Sequence, residues 1–142
     1  MPQSNPQSNQ QNPVLSFLSP VVNVPREFWK HLINIFRGVK DISPREALVF
    51  IEQKKAFILD VREQSEYDTG HVANSILIPL GQLNARVAEL EKLKGNDLVV
   101  ICRGGKRSAT ACWQLGQHGF TKIYNIAGGI IAWNKANLPV ER

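Results

Sequence analysis

Leu98-Val99-Val100-Ile101-Cys102-Arg103-Gly104-Gly105-Lys106-Arg107-Ser108 is the stretch that decides how this chain is read. Its first four residues are apolar and mostly β-branched, the signature of a buried strand. The segment that follows, Ala109-Thr110-Ala111-Cys112-Trp113-Gln114-Leu115, reads as a helix. Between the two, a lone cysteine opens a short, glycine-rich, basic loop. No residue from 103 to 108 is proline, so each offers a backbone N–H. Gly104 and Gly105 can take positive φ and bend the loop until those groups converge. Converging amides at a helix N-terminus make an anion site, and Arg103, Lys106 and Arg107 add three cations. Both effects favour the thiolate of Cys102 over the thiol. The expected site is a sulfur nucleophile inside an anion cradle, suited to an anionic substrate attacked by sulfur or to a bound anionic sulfur adduct.

Working outward, strands and helices alternate from Asp41 onward. Ser43-Pro44-Arg45-Glu46 is a capping box with proline at the first helical position, and its helix is predicted to run to about Gln53. Phe57–Val61 and Ser75–Ile78 read as strands, with a short helical turn over Ser65–Thr69 between them. Leu83–Leu93 reads as an amphipathic helix stopped near Gly95. The helix after Cys102 stops near Gly116 to Gly119, Lys122–Ile126 is the last strand, and Ile130–Ala136 is a closing helix that carries Trp133. This alternation predicts an α/β fold of three layers, α/β/α, with a mainly parallel sheet of about five strands. Ligands in such folds sit at the carboxyl ends of strands, where Cys102 falls.

The N-terminal 40 residues have a different composition. Residues 1–13 are only Met, Pro, Gln, Ser and Asn, which bury nothing. Residues 14–25 are apolar but interrupted by Pro20 and Pro25, so residues 1–25 are expected to form a disordered or extended arm. Residues 26–40 read as an amphipathic helix. At about 100° per residue, Phe28, Trp29, Leu32, Ile33, Ile35, Phe36 and Val39 fall on one side and a basic, polar set on the other. That face suits packing on the protein's own domain, a dimer or protein partner through residues 26–39, or a membrane surface. Residues 41–142 are expected to form the remaining, folded domain.

At 142 residues the chain is one domain with an extension. Two cysteines do not make a disulfide framework and suggest a reducing compartment. The 17 Lys and Arg against 12 Asp and Glu give a net charge of +5, which favours anionic partners. The basic residues are dispersed and not interleaved with aromatics, so nucleic acid is not an expected partner. No basic leader precedes an apolar core, and Val14–Val24 is too short and broken to span a bilayer. A cytoplasmic protein is the default expectation.

Three stretches together resemble the single-domain rhodanese (thiosulfate sulfurtransferase-like) family. They are Asp60-Val61-Arg62-Glu63 with Glu66-Tyr67 and Gly70-His71-Val72; Cys102 to Ser108; and Asn125-Ile126-Ala127-Gly128-Gly129-Ile130 with Trp133. Asn74-Ser75 departs from the family's common Pro-Gly-Ala run, which affects a turn. The resemblance implies a sulfurtransferase in which the Cys102 thiolate takes sulfane sulfur from thiosulfate or a related small anionic donor, becomes a persulfide, and passes the sulfur to cyanide or a thiol acceptor. No cofactor beyond that covalent persulfide is implied. The related dual-specificity phosphatases have one more loop residue and a wider cradle, whereas the six residues from Cys102 to Arg107 suit a single sulfur atom. The alternative is a persulfide carrier or sulfur-relay module that docks a protein partner on residues 26–39.

The supporting residues have plainer readings. Asp60 and Arg62, at a strand end, read as structural ion-pair or hydrogen-bond partners of the site. Arg107 either contacts substrate or braces the loop through a carboxylate such as Asp60 or Glu63. Cys112, beside Ala111 and Trp113, reads as a small core thiol, with a resolving thiol as the minor alternative. His71 reads as a hydrogen-bonded structural histidine and Gly128-Gly129 as a turn before the last helix. No metal-ligand spacing is present.

Overall fold

A computed structural model describes residues 39–142. The arm of residues 1–25 and all but the end of the helix expected over 26–40 lie outside the described residues. Five parallel strands form one sheet in the order β1-β5-β4-β2-β3. They are β1 (Val39–Ile42), β2 (Phe57–Asp60), β3 (Ile76–Leu77), β4 (Leu98–Ile101) and β5 (Ile123–Ile126). The helices are α1 (Pro44–Gln53), α2 (Gln64–Asp68), α3 (Leu83–Arg86), α4 (Lys106–Gln117) and α5 (Gly129–Lys135).

Strand β4 is central, and all four of its residues are buried. Successive side chains of a strand point to opposite faces, so β4 contributes to two cores. Leu98 and Val100 join Leu59, Ile123, Ala111, Cys112 and Leu115 on the α4 side. Val99 and Ile101 join Ile58, Ile126, Ala47, Ile130 and Trp133 on the side of α1 and α5. A strand buried on both faces has to be apolar throughout, which is why residues 98–101 carry so clear a signal.

Two expectations need correction. Val39 and Lys40 belong to β1 and not to a helix over residues 26–40. Val39 pairs with Ile123 and Ile42 with Ile126, and Val39 and Ile42 enter opposite cores. Val-Lys-Asp-Ile shows only two apolar residues out of four, too little to mark a strand in sequence. Leu83–Leu93 is not one α-helix. A single α-turn, α3, passes into a 3-10 helix over Val87–Leu93. Val87, Leu90 and Leu93 recur every third residue, and a three-residue turn stacks such side chains along one line. Leu90 and Leu93 are buried on that line and Val87 packs against the same core.

Ser43 caps α1 as expected, its hydroxyl accepting from the Glu46 N–H at 3.1 Å. The Glu46 carboxylate turns to the Ser43 hydroxyl, 3.2 Å away.

Candidate active site

Cys102 follows β4 directly, and the loop from Arg103 to Gly105 delivers the chain into α4. Gly105 caps α4 with φ +99°, a left-handed conformation that glycine adopts without strain. A side chain there would also meet the Gly128 nitrogen at 3.2 Å. This turn brings the Gly105 N–H to the sulfur, where it donates to Cys102 Sγ at 3.0 Å. The Ser108 hydroxyl, on the first turn of α4 and fully buried, lies 3.2 Å from the same sulfur. The first intrahelical bond of α4 runs from Ala109 N–H to the Gly105 carbonyl. The N–H groups of Lys106, Arg107 and Ser108 therefore have no intrahelical partner, as at any helix start.

The other side of the loop is fixed by α5. The N–H groups of Ile130 and Ile131 donate to the carbonyls of Cys102 and Arg103 at 2.8 and 3.2 Å. A peptide unit is planar and trans, with its N–H opposite its carbonyl. Holding these two carbonyls toward α5 therefore turns the N–H groups of Arg103 and Gly104 away from it. The contact depends on Gly129, because a Cβ there would lie 2.5 Å from the Arg103 carbonyl oxygen and closer still to that of Cys102. The sequence reading saw only a turn at Gly128-Gly129. Two adjacent glycines ending β5, the neighbour of β4, were the available signal of a close backbone approach.

The three loop cations are not equivalent. Arg107 is engaged, its two terminal nitrogens each 2.7 Å from a Glu66 carboxylate oxygen. Its partner is thus Glu66, and neither Asp60 nor Glu63 as the sequence suggested. Glu66 also accepts from the Glu63 N–H at 2.9 Å. The hydrogen bonds from Arg107 hold its carboxyl well below the ordinary 4.5, at about 2. Asp60 is already taken by Arg62. The Arg62 guanidinium binds both Asp60 oxygens, its terminal nitrogen at 2.8 Å, and also reaches the carbonyls of Gly70 and Glu66. This pair is buried, with Asp60 0% and Arg62 3% exposed, and every charge in it is satisfied. It anchors the segment leading from β2 to α2, which in turn presents Glu66 to Arg107. Arg103 and Lys106 are exposed and have no ion-pair partner among the described residues.

Cys102 is only 1% exposed and is reached through a cavity of ≈ 230 Å³ lined by Arg103, Gly104, Lys106, Arg107 and Ile131. Ile131, unremarked in the sequence, supplies the apolar wall. Asn125 links β1, β5 and the loop, its amide nitrogen 3.0 Å from the Asp41 carboxylate and 3.5 Å from the Gly105 carbonyl. His71 stands apart. Its Nδ1 donates to the Tyr67 carbonyl at 3.0 Å and its ring stacks on Tyr67 at 3.7 Å. Cys112 is buried in the core on the α4 face, and burial pushes its thiol well above the ordinary range. Among the described residues no three His, Cys, Asp or Glu side chains gather into a metal site, and no helix is long and apolar enough to cross a membrane.

Comparison with known proteins agrees with this arrangement. The model of the rhodanese-like domain matches residues 43–136. A sulfurtransferase of Allochromatium vinosum is 33% identical over 89 residues, covering 63% of this chain and 81% of that protein. The putative sulfurtransferase YtwF of Bacillus subtilis is 33% identical over 102 residues, 71% of this chain and 96% of that one. The crystal structure of a rhodanese-related protein from Thermoplasma volcanium superposes with a TM-score of 0.66 at 36% identity, covering 72% of this chain and 97% of the other. A parallel five-stranded sheet, a cysteine loop closing its central strand and a family match over most of the described residues converge on one assignment, supported in its general chemistry by relatives named as sulfurtransferases: the chain belongs to the rhodanese-like domain family.

Proposed function

We propose that the protein is a sulfurtransferase that carries sulfane sulfur as a Cys102 persulfide, taking it from thiosulfate or a related anionic donor and passing it to cyanide or a thiol. The Cys102 thiolate attacks the outer sulfur of the donor. A new S–S bond forms at Sγ while the donor's own S–S bond breaks, and sulfite leaves with that electron pair. The observation that carries this reading is the ring of donors at Cys102. Gly105 N–H and the Ser108 hydroxyl already lie at Sγ, and the first-turn N–H groups of α4 remain free for the terminal sulfur of a persulfide. The loop's six residues from Cys102 to Arg107 enclose a small cradle, which favours one sulfur atom over a phosphate. Arg103 and Lys106, unpaired among the described residues at the mouth, supply charge for a doubly anionic donor, while Arg107, engaged by Glu66, holds the loop's shape.

No cofactor takes part in this scheme, since the transferred sulfur rides on the protein. A reducing, cytoplasmic setting keeps Cys102 free for it.

Intact mass before and after incubation with thiosulfate tests the proposal. A gain of about 32 Da, removed by cyanide and absent in Cys102→Ser, is expected of an activated thiolate, and the variant should lose all turnover. Full activity in Cys102→Ser would overturn the reading. Loading without discharge to cyanide or small thiols would instead favour a persulfide carrier serving a docked protein.

A further inference from the structure

Asn125 is a buried polar side chain on an otherwise apolar face of the sheet. Its neighbours along β5, Tyr124 and Ile126, face the side of α1 and α5, so Asn125 faces α4. It lies in register between Val100 of β4 and Asp41 of β1 and is only 4% exposed. Its amide nitrogen stands between two acceptors, the Asp41 carboxylate at 3.0 Å and the Gly105 carbonyl at 3.5 Å. Its Oδ1 is buried and accepts no hydrogen bond from the described residues.

Burying an amide oxygen without a partner is unfavourable, so other contacts hold the amide in this orientation. A carboxylate and a carbonyl only accept, whereas the amide NH2 has two donors. The reverse orientation would set Oδ1 against both acceptors. Asp41 thus decides which end of the amide meets the cysteine loop. Gly105 has few other restraints. It caps α4 without a side chain, and its carbonyl also takes a 3.3 Å bond from the Ala109 N–H. The peptide unit joining Gly105 to Lys106 carries this carbonyl and, trans to it, the Lys106 N–H. Fixing the carbonyl from β5 therefore aims the Lys106 N–H out of the open end of α4. The sulfur lies at that end, where the Gly105 N–H reaches it.

We propose that Asn125, oriented by Asp41, is a positioning residue for sulfur transfer: it sets the Gly105–Lys106 peptide so that the Lys106 N–H meets the outer sulfur of the Cys102 persulfide. The inference rests on the persulfide reading above and adds a residue that touches neither the sulfur nor the donor. In loading, the Sγ–S bond forms as the donor's S–S bond breaks, sulfite leaves with that electron pair, and the negative charge of the new persulfide settles on its outer sulfur. Asn125 acts at that charge. Donor capture by the Arg103 and Lys106 side chains is left as it was.

Single-turnover loading with thiosulfate, followed by intact mass, tests this beside thermal melting. Asn125→Leu keeps the size of the side chain and removes the unpartnered oxygen. It alters none of the charged or titratable groups around Cys102: Arg103 of the loop, Lys106, Arg107 and Cys112 of α4, Glu66 of α2 and Asp41 of β1. Gly105 keeps its Ala109 bond and Asp41 is exposed, so Tm should stay within about 3 °C. The maximal loading rate should fall about fivefold, mid-range for one neutral hydrogen bond, with half-saturating thiosulfate within about twofold. Asp41→Ala and Asp41→Asn remove the same charge, and only the asparagine keeps an acceptor for Asn125. Alanine should slow loading about threefold, and asparagine should load at the parental rate. A parental maximal rate in Asn125→Leu would overturn the proposal. So would a change confined to half-saturation, or equal rates in the two Asp41 variants. If Asn125→Leu melts more than about 10 °C lower, the Asp41 pair decides alone. If thiosulfate fails to load even the parent, the persulfide reading falls, and iodoacetamide alkylation of Cys102 against pH decides the positioning. A midpoint about half a pH unit higher in Asn125→Leu supports it, and an unmoved midpoint overturns it.

Discussion

Glu66 joins two parts of the site through one carboxylate. It accepts from the Glu63 N–H at the start of α2 and from both terminal nitrogens of Arg107 on α4. Those hydrogen bonds favour the charged form, so the folded value, about 2, lies below the ordinary 4.5. A depressed carboxylate stabilises the fold fully above its unfolded value, and the contribution is lost as pH falls through the folded one. The pair is about one-third exposed, so solvent screens it, and its bidentate geometry keeps it to about 1–2 kcal/mol. Glu66→Gln should therefore lower the urea midpoint at about pH 7. The gap to the parent should narrow near pH 3 and close near pH 2. A gap that stays constant with pH would show that the carboxylate's charge is not what holds Arg107. Sequence spacing left this partner open because Arg107 and Glu66 are 41 residues apart. Asp60 and Glu63 looked equally available until the fold assigned Asp60 to Arg62.

The start of α5 shows how one element shapes another's chemistry. Two of its first-turn N–H groups, those of Ile130 and Ile131, hold the Cys102 and Arg103 carbonyls, and only a residue without Cβ at 129 permits that approach. Gly129→Ala adds the clash with those carbonyls to the strain of φ +57°, at a cost of about 2 kcal/mol or more. It is expected to lower Tm and to impair persulfide loading together, as read by calorimetry and intact mass. Gly116→Ala is the control. Gly116 lies within α4 with open space around it, and alanine there should stabilise by about 0.5–1 kcal/mol. Equal effects of the two changes would remove the argument for a special role of Gly129. The β4 strand, the cysteine loop and α4 were legible in sequence because burial on both faces and a glycine-rich break leave strong local marks. The role of Gly129 was not, because it depends on a contact between elements distant in sequence. The 3-10 helix over Val87–Leu93 was misread because its apolar residues fit α-helical spacing nearly as well.

Across the whole molecule, the parallel order β1-β5-β4-β2-β3 puts Cys102 at the centre of the sheet's carboxyl edge, with α2 and α5 flanking the loop. The strand–helix alternation announced such a sheet, yet β1 escaped notice, and the family match also begins after it, at residue 43. Its place in the sheet nevertheless makes it integral. It covers β5, which would otherwise be an edge with unpaired N–H and C=O groups, and it supplies Asp41, which holds Asn125 beside the loop. Val39 and Ile42 are 1% and 6% exposed, and burying a side chain of that size contributes about 1.5–3 kcal/mol. A chain beginning at residue 43 should therefore be less stable than one beginning at residue 38 by about 3 kcal/mol or more. Its Tm should fall by more than about 10 °C for a domain of this size. Persulfide loading should weaken with it, since Asn125 loses its anchor beneath Gly105. Equal melting temperatures for the two chains would mean that the sheet tolerates β5 as its edge, and that the boundary at residue 43 is physical as well as statistical.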